Sequence, residues 1–427
     1  MRQDLRSRSE RTSQMGSRKC FWGSPSRLVV ACVAIVTLAG CSSGASKTPA
    51  ATATKSPIII GGIASTTSFT GTDLGFKARI DALNKQGGID GHPIQFVGVL
   101  DDGGSEVTNL TDIQQLILKD HVVAVAPANS LGLLSSSAAF AANQQTPVLG
   151  WGFLPTFCNN KWVWGFNGCL EPTGIYNTSL VEPIIRELGG NAKTIRAAAV
   201  QNNNAAGIAG NALYKNLWTR LGANFVGGTT AIPISGVTDY APYVSAVLAQ
   251  KPNVIDLGLV FAENLAFKAA LVQAGYTGAT TDDVSYVPGI LASQPAVASV
   301  LQNEYIGVQI PPQEGETPAT KQETKDITAI GQPPLISLGE SLGYWEADML
   351  IQMLQATAKA GRPLTGAGLG KTVNAGFTYK GTLAGGIGSA TFPQAESVPV
   401  PCAGLLHVTG TVFKVVQPFA CYTNISA

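Results

Sequence analysis

The run Ile58-Ile59-Ile60-Gly61-Gly62-Ile63 is short, apolar and suited to a buried strand. The segments after it decide the fold. The stretch 71–86 carries Leu74, Ala78 and Leu83 on one helical face and stops at Gly87-Gly88. The pattern then predicts a strand at 94–100, a helix at 109–119, a strand at 122–126, a helix at 130–143 and a strand at 147–150. The alternation restarts further on, with strands at 195–200, 224–231 and 254–259 and helices at 205–221, 240–250 and 263–274. Strands separated by helices form parallel sheets covered on both faces. Two such series predict an α/β protein with two doubly wound, Rossmann-like lobes. Ligands of such sheets lie outside the carboxyl ends of the strands, so a cleft between the lobes is the expected site.

From about residue 312 the chain does not restart a full unit. A helix is predicted over 338–360, with Leu342, Trp345, Met349 and Met353 at helical spacing as a core stripe. The tail 407–416 alternates like a single strand. This segment is expected to complete both lobes, so the chain crosses between them more than once.

Ahead of the first strand, the apolar run 28–38 is too short to cross a bilayer as a helix and has the length of a secretory core. Arg2, Arg6, Arg8, Arg11, Arg18, Lys19 and Arg27 precede it, and Leu38-Ala39-Gly40-Cys41 closes it. This closing motif resembles a bacterial lipobox, in which the cysteine thiol receives a diacylglycerol and becomes the mature N-terminus. Residues 1–40 are then a signal peptide, Cys41 the lipidation site and 41–56 a flexible tether rich in Ser, Thr and Ala. An ordinary signal peptide with an unrelated cysteine after it is the alternative, and Met15 offers a second start.

Composition narrows the function. The full chain has 28 Lys and Arg against 27 Asp and Glu; loss of seven basic and two acidic residues with the signal leaves a net charge of −4. A mildly acidic body without a basic stripe argues against nucleic acid as a partner. With 45% apolar and 13% charged residues, 427 residues can bury the cores of two domains. Besides Cys41, four cysteines remain in the exported part, and their grouping predicts Cys158–Cys169 and Cys402–Cys421 as disulfides. His92, His121 and His407 are scattered and no Cys-x-x-Cys occurs, so neither metal nor cofactor is expected.

Catalytic patterns are missing. The sequence has no Gly-x-Ser-x-Gly elbow at a predicted strand-to-helix turn (339–343 has the spacing but lies inside the helix predicted over 338–360) and no His-Glu-x-x-His. The stretch 365–372 ends in Gly-Lys-Thr like a phosphate loop, but Thr365 stands where the first glycine belongs and no strand precedes it, which predicts a turn into a short helix. Asp101-Asp102 and Asp282-Asp283 are carboxylate pairs, yet neighbours on a strand point to opposite faces and neither makes an acid–base couple. No enzyme is expected. Binding features stand out more. Ala126-Pro127-Ala128-Asn129-Ser130 lies between a predicted strand end and a predicted helix start, where amides and a hydroxyl suit an anionic group; Ser130 as a plain helix cap is the alternative. Gly150-Trp151-Gly152-Phe153 occupies the next strand end, with an apolar wall.

Taken together, several stretches resemble one family. Asn84-Lys85-Gln86-Gly87-Gly88-Ile89-Asp90-Gly91-His92-Pro93-Ile94, leading into Asp101-Asp102, is similar to the early motif of leucine/isoleucine/valine-type solute-binding proteins. Residues 123–130, Thr146-Pro147-Val148-Leu149, Leu221-Gly222-Ala223, Thr238-Asp239-Tyr240, Pro252-Asn253-Val254-Ile255 and Tyr305-Ile306-Gly307-Val308 fit as well, over roughly 57–418. The resemblance implies the type I periplasmic-binding-protein fold and service to an ABC importer in the membrane. It implies a monomer of two lobes, 57–172 with 312–396 and 173–311 with 397–427, hinged at crossings near 171–175, 309–313 and 396–401. It implies a small-molecule solute whose carboxylate meets Asn129, Ser130, Gly152 and Phe153, beside Trp151, and whose ammonium meets Asp283 or Asp282. Ser68, Phe69 and Phe261 match side-chain pocket positions. One departure is Asn202-Asn203-Asn204, which stands where relatives place a tyrosine; Asn203 and Asn204 either touch the solute or only form a helix entry. A ligand sensor of the same fold is the alternative to a transporter component.

Overall fold

The computed structural model describes residues 55–170, 174–381 and 385–426. The expected signal peptide, Cys41, most of the tether and the first part of the first crossing lie outside the described residues.

Five parallel strands form the first sheet: β1 (Ile58–Ala64), β2 (Ile94–Asp101), β3 (Ala124–Asn129), β4 (Val148–Gly150) and β5 (Val163–Gly165), in the order β2-β1-β3-β4-β5. Their connections carry α1 (Thr72–Asn84), α2 (Glu106–Leu118) and α3 (Ser135–Asn143). A short strand β6 (Ile175–Asn177) and helix α4 (Glu182–Glu187) lead to the second series. There β7 (Arg196–Asn202), β8 (Asn224–Ile232), β9 (Val254–Gly258), β10 (Ala279–Asp282) and β11 (Glu304–Val308) alternate with α5 (Ala205–Arg220), α6 (Ala241–Leu248), α7 (Phe261–Gln273), α8 (Ile290–Ser293) and α9 (Pro295–Val300). The chain continues through α10 (Pro318–Thr328), α11 (Leu338–Lys359), α12 (Gly366–Asn374) and the antiparallel pair β12 (Phe377–Tyr379) and β13 (Ala390–Phe392). It ends in β14 (Cys402–Thr409), β15 (Val412–Cys421) and β16 (Asn424–Ser426), the last pairing with β6.

The second sheet has the order β15-β14-β11-β10-β9-β7-β8, parallel from β8 to β11 and antiparallel where β14 and β15 join it. Chain from beyond residue 400 therefore completes a sheet begun near residue 196. Residues 318–374 pack on the first sheet instead, where α11 lies along α1. Gly75 makes that packing possible, because a Cβ there would stand 1.7 Å from the Glu340 carbonyl oxygen. Arg79 of α1 pairs with Asp348 of α11 at 2.9 Å. The expected stripe Leu342, Trp345, Met349 and Met353 is buried, and Ser337 with Glu340 forms a capping box at the start of α11.

Two elements differ from expectation. The helix predicted at 130–143 begins only at Ser135, because residues 130–132 turn around the Ser130 and Ser65 hydroxyls. The tail is a hairpin and not one strand: Gly410, at φ 61°, turns β14 into β15. The stretch 365–372 opens α12, with the Thr365 hydroxyl accepting from the Gly368 amide as an N-cap. Both expected disulfides form. No helix among the described residues is long and apolar enough to cross a membrane.

Candidate ligand-binding cleft

In the first sheet the chain runs from β1 out to β2 and then returns to β3 on the other side of β1. The second sheet repeats the move, from β7 to β8 and back to β9. Strands whose connections leave in opposite directions open a crevice at their carboxyl ends. One cavity draws its lining from both crevices. Ser68 and Phe69 follow β1, Leu131 follows β3, and Trp151 and Phe153 follow β4. Gln201 and Asn202 end β7, Gly258, Leu259 and Val260 end or follow β9, and Asp283 and Val284 follow β10, with Leu213 and Tyr214 added from α5. About 120 Å³ is open to the centre of a water molecule, space for on the order of ten non-hydrogen atoms.

One wall is aromatic. Phe69 meets Trp151 edge-on at 6.1 Å and Phe153 at 5.6 Å, and Trp151 lies 5.0 Å from Phe153. The Trp151 ring is held from behind, since its Nε1–H donates to Gln309 Oε1 at 2.6 Å. The same oxygen accepts from Asn167 Nδ2 at 2.8 Å. The opposite side is polar. The Gln201 amide crosses the face of Gly258, where a Cβ would stand 1.7 Å from its Oε1, so only glycine leaves it room. Asp283 accepts from the Tyr214 hydroxyl at 2.6 Å. Burial pushes the Asp283 carboxyl up to about 6, with the tyrosine bond opposing part of the rise. Among the described residues lining this cavity there is no Lys, Arg or His.

Seven of the residues singled out in the sequence line the cavity: Ser68, Phe69, Trp151, Phe153, Asn204, Phe261 and Asp283. Five stand elsewhere. Ser130 is fully buried; its hydroxyl donates to Asp102 and accepts from Asn109 Nδ2 and the Gly132 amide. With α3 starting at Ser135, Ser130 neither caps that helix nor offers a hydroxyl to the cleft. Asn129 is buried, its Oδ1 facing the Trp151 amide at 3.4 Å. The Gly152 amide donates to Asn167 Oδ1 at 2.7 Å. Asp282 accepts from Asn264 Nδ2 and from the amides of Val284 and Ser285, all at 2.7 Å. Asn203 is exposed. The asparagine run is mainly a helix entry: Asn202 accepts from the Val260 amide and donates to the Ile232 carbonyl, and Asn204 caps α5 through the Gly207 amide.

A family model described as periplasmic binding protein matches residues 59–409. The chain belongs to the periplasmic binding protein family. The order of motifs from Asn84 onward resembles the family for this reason. A search of curated proteins finds no match. Among solved structures, this binding protein is similar to a solute-binding protein of an ABC transporter from R. palustris in complex with 4-hydroxybenzoate. That pair shares 15% identity, coverage of 86% of this chain and 97% of that one, and a TM-score of 0.69. A fatty acid ABC transporter substrate-binding protein from Thermomonospora curvata gives 15% identity, 86% and 93% coverage, and a TM-score of 0.72. A branched-chain amino acid ABC transporter from Thermus thermophilus with bound valine gives 12% identity, 86% and 97% coverage, and a TM-score of 0.70. At such identities the likeness is one of fold.

Among the polar residues of this periplasmic binding protein's cleft, Gln201 and Tyr214 escaped the sequence reading, as did Gln309, which holds Trp151 from behind. Gln201 and Gln309 share a readable signal, since each is a polar residue at the carboxyl end of an apolar strand, the end at which the crevice opens. Tyr214 sits mid-helix and offers none. The Cys158–Cys169 bridge closes a loop whose Trp164 and Phe166 are buried in the core, as is Phe157 just before it. Among the described residues of this stretch, Leu170, next to the bridge, reaches the cavity.

Proposed function

We propose that this protein captures a small amphipathic molecule, amino-acid-like in size, in the cleft and hands it to an ABC importer from the outer side of a membrane. The single observation behind this reading is the cavity shared by the carboxyl ends of the two sheets, with an aromatic wall on one side and Asp283 with Tyr214 on the other. A solute touching both sheets favours the arrangement in which they approach, so binding shifts the population toward the clasped state. The lobes are 57–172 with 312–396 and 173–311 with 397–427, hinged near 171–175, 309–313 and 396–401. Acylated Cys41 tethers the protein, which acts as a monomer and catalyses nothing. Ligands named for proteins of the same fold (4-hydroxybenzoate, a fatty acid, valine) each join a polar carboxyl head to an apolar body, which supports the amphipathic character of the solute. A thermal-shift screen of small metabolites tests the reading: a true solute at 100 times its Kd stabilises by about 2.7 kcal/mol. A screen in which no small molecule stabilises the protein, or in which the stabilisation survives Trp151→Ala, contradicts it.

A further inference from the structure

We propose that the cleft selects a primary carboxamide over the matching carboxylate: an apolar body lies against Phe69, Trp151 and Phe153 while the amide head donates to Asp283 and accepts from Gln201. This rests on the solute-binding reading of the same cleft.

A carboxylate needs several donors or a cation to replace its water. The donors nearest the carboxyl ends of β3 and β4 are already occupied internally. The Ser130 hydroxyl donates to Asp102, and the Leu131 amide donates to Ser65 Oγ at 3.0 Å. The amides of Trp151 and Gly152 face Asn129 and Asn167, and the Phe153 amide donates to the Trp151 carbonyl. Among the described residues no basic side chain lines the cavity, and Glu263 lines the adjoining pocket, which shares Ser68, Leu131, Val260 and Phe261 with it. An anion entering here meets acids of its own sign.

Gln201 supplies the positive evidence. Its Nε2 is buried and has no hydrogen-bond partner among the described residues, although the residue lines the cavity. Gln201 pairs with Gly258 across β7 and β9, and Asp256 pairs with Thr281 across β9 and β10. Continuing that register puts Gln201, Gly258 and Asp283 side by side on three adjacent strands. Because Gly258 has no side chain, the Gln201 amide lies over it, while the Asp283 carboxylate lies against Gly307 on the other side of β10. The result is an unpaired donor and an acceptor at the ends of β7 and β10, with the bare Gly258 position between them, and a carboxylate has lone pairs beyond the one used by Tyr214. A primary carboxamide carries the complementary pair, N–H donors and a carbonyl acceptor, on one planar head. Its carbonyl would give the Gln201 donor the partner it lacks, which a buried polar group requires. A bare amine leaves that donor unpaired.

Benzamide, benzoate and benzylamine share one apolar ring and differ only in the head, and their binding to the mature protein is measured by calorimetry and thermal shift at pH 7.5. Benzamide is expected to bind about tenfold or more tightly than benzoate. Gln201→Leu is expected to weaken benzamide about tenfold while leaving benzylamine unchanged, a split that loss of folding does not produce. Asp283→Asn is expected to weaken both. Benzoate or L-valine binding as tightly as benzamide overturns the carboxamide assignment and leaves the solute-binding reading standing. Benzylamine binding tightest, with Gln201→Leu silent for benzamide, overturns it in favour of a plain cation site. Absence of binding by all the probes also overturns it, and the metabolite screen then decides the broader reading separately.

Discussion

Gln309→Leu removes the acceptor that holds the cleft's tryptophan to the strand end after β11. Gln309 Oε1 receives Trp151 Nε1–H at 2.6 Å and Asn167 Nδ2–H at 2.8 Å, and the residue is buried. Leucine leaves two donors without a partner, each costing about 1–3 kcal/mol. It also removes the Gln309 Nε2, which has no partner among the described residues, and this returns about 1 kcal/mol. The net loss is about 1–5 kcal/mol, centred near 3. With a urea slope of about 3 kcal/mol per molar, the unfolding midpoint falls by about 1 M. Trp151 is freed at the same time, so the fluorescence of the folded protein changes and solute affinity falls. Urea titration monitored by circular dichroism, with emission spectra at zero urea, reads both effects. A midpoint within about 0.2 M of the parent, with an unchanged spectrum, refutes the idea that Gln309 braces the aromatic wall.

Asp283 gives the pH dependence of stability. Its carboxyl is raised from 3.8 to about 6 by burial, so the folded form holds the proton more tightly than the unfolded chain. Its contribution is therefore full below about pH 4 and is lost as pH rises through about 6. Asp283→Asn should then be more stable than the parent at pH 7.5 by about 1–3 kcal/mol and no more stable at pH 4, in urea melts at the two values. Equal effects at both pH values contradict the assignment. A peptide map without reductant should contain only the Cys158–Cys169 and Cys402–Cys421 links, and breaking either by Cys→Ser should cost about 2–4 kcal/mol. A crossed pair in the map contradicts the fold around them. Cys41→Ser should move the expressed protein from the membrane fraction to the soluble one; retention in the membrane contradicts an acyl anchor.

The layer order was legible because it rests on periodicity. Helices such as α11 and strands such as β7 show their buried faces through spacing alone. Features set by contacts between distant segments were less legible. The alternation of β14 continues across Gly410 into Val412 and Phe413, which hid a turn inside one apparent strand. Ser130 stands where the motif places it, yet its hydroxyl faces Asp102 and Asn109, and orientation of that kind is decided by packing between β3 and α2. Asp282 and Asp283 looked interchangeable. Successive residues at a strand end point opposite ways, so one meets Asn264 in the core and the other meets Tyr214 beside the cavity. Cys41 was legible as a motif and has no structural counterpart among the described residues.

The most direct test of solute capture places a fluorophore pair on the two halves, at Lys119→Cys and Lys251→Cys, and adds the compound that stabilises the protein most in the metabolite screen. One equivalent should shorten the distance between the labels, and Trp151→Ala should abolish both the shortening and the stabilisation. Tight binding that leaves the distance unchanged and ignores Trp151→Ala contradicts capture between the two sheets.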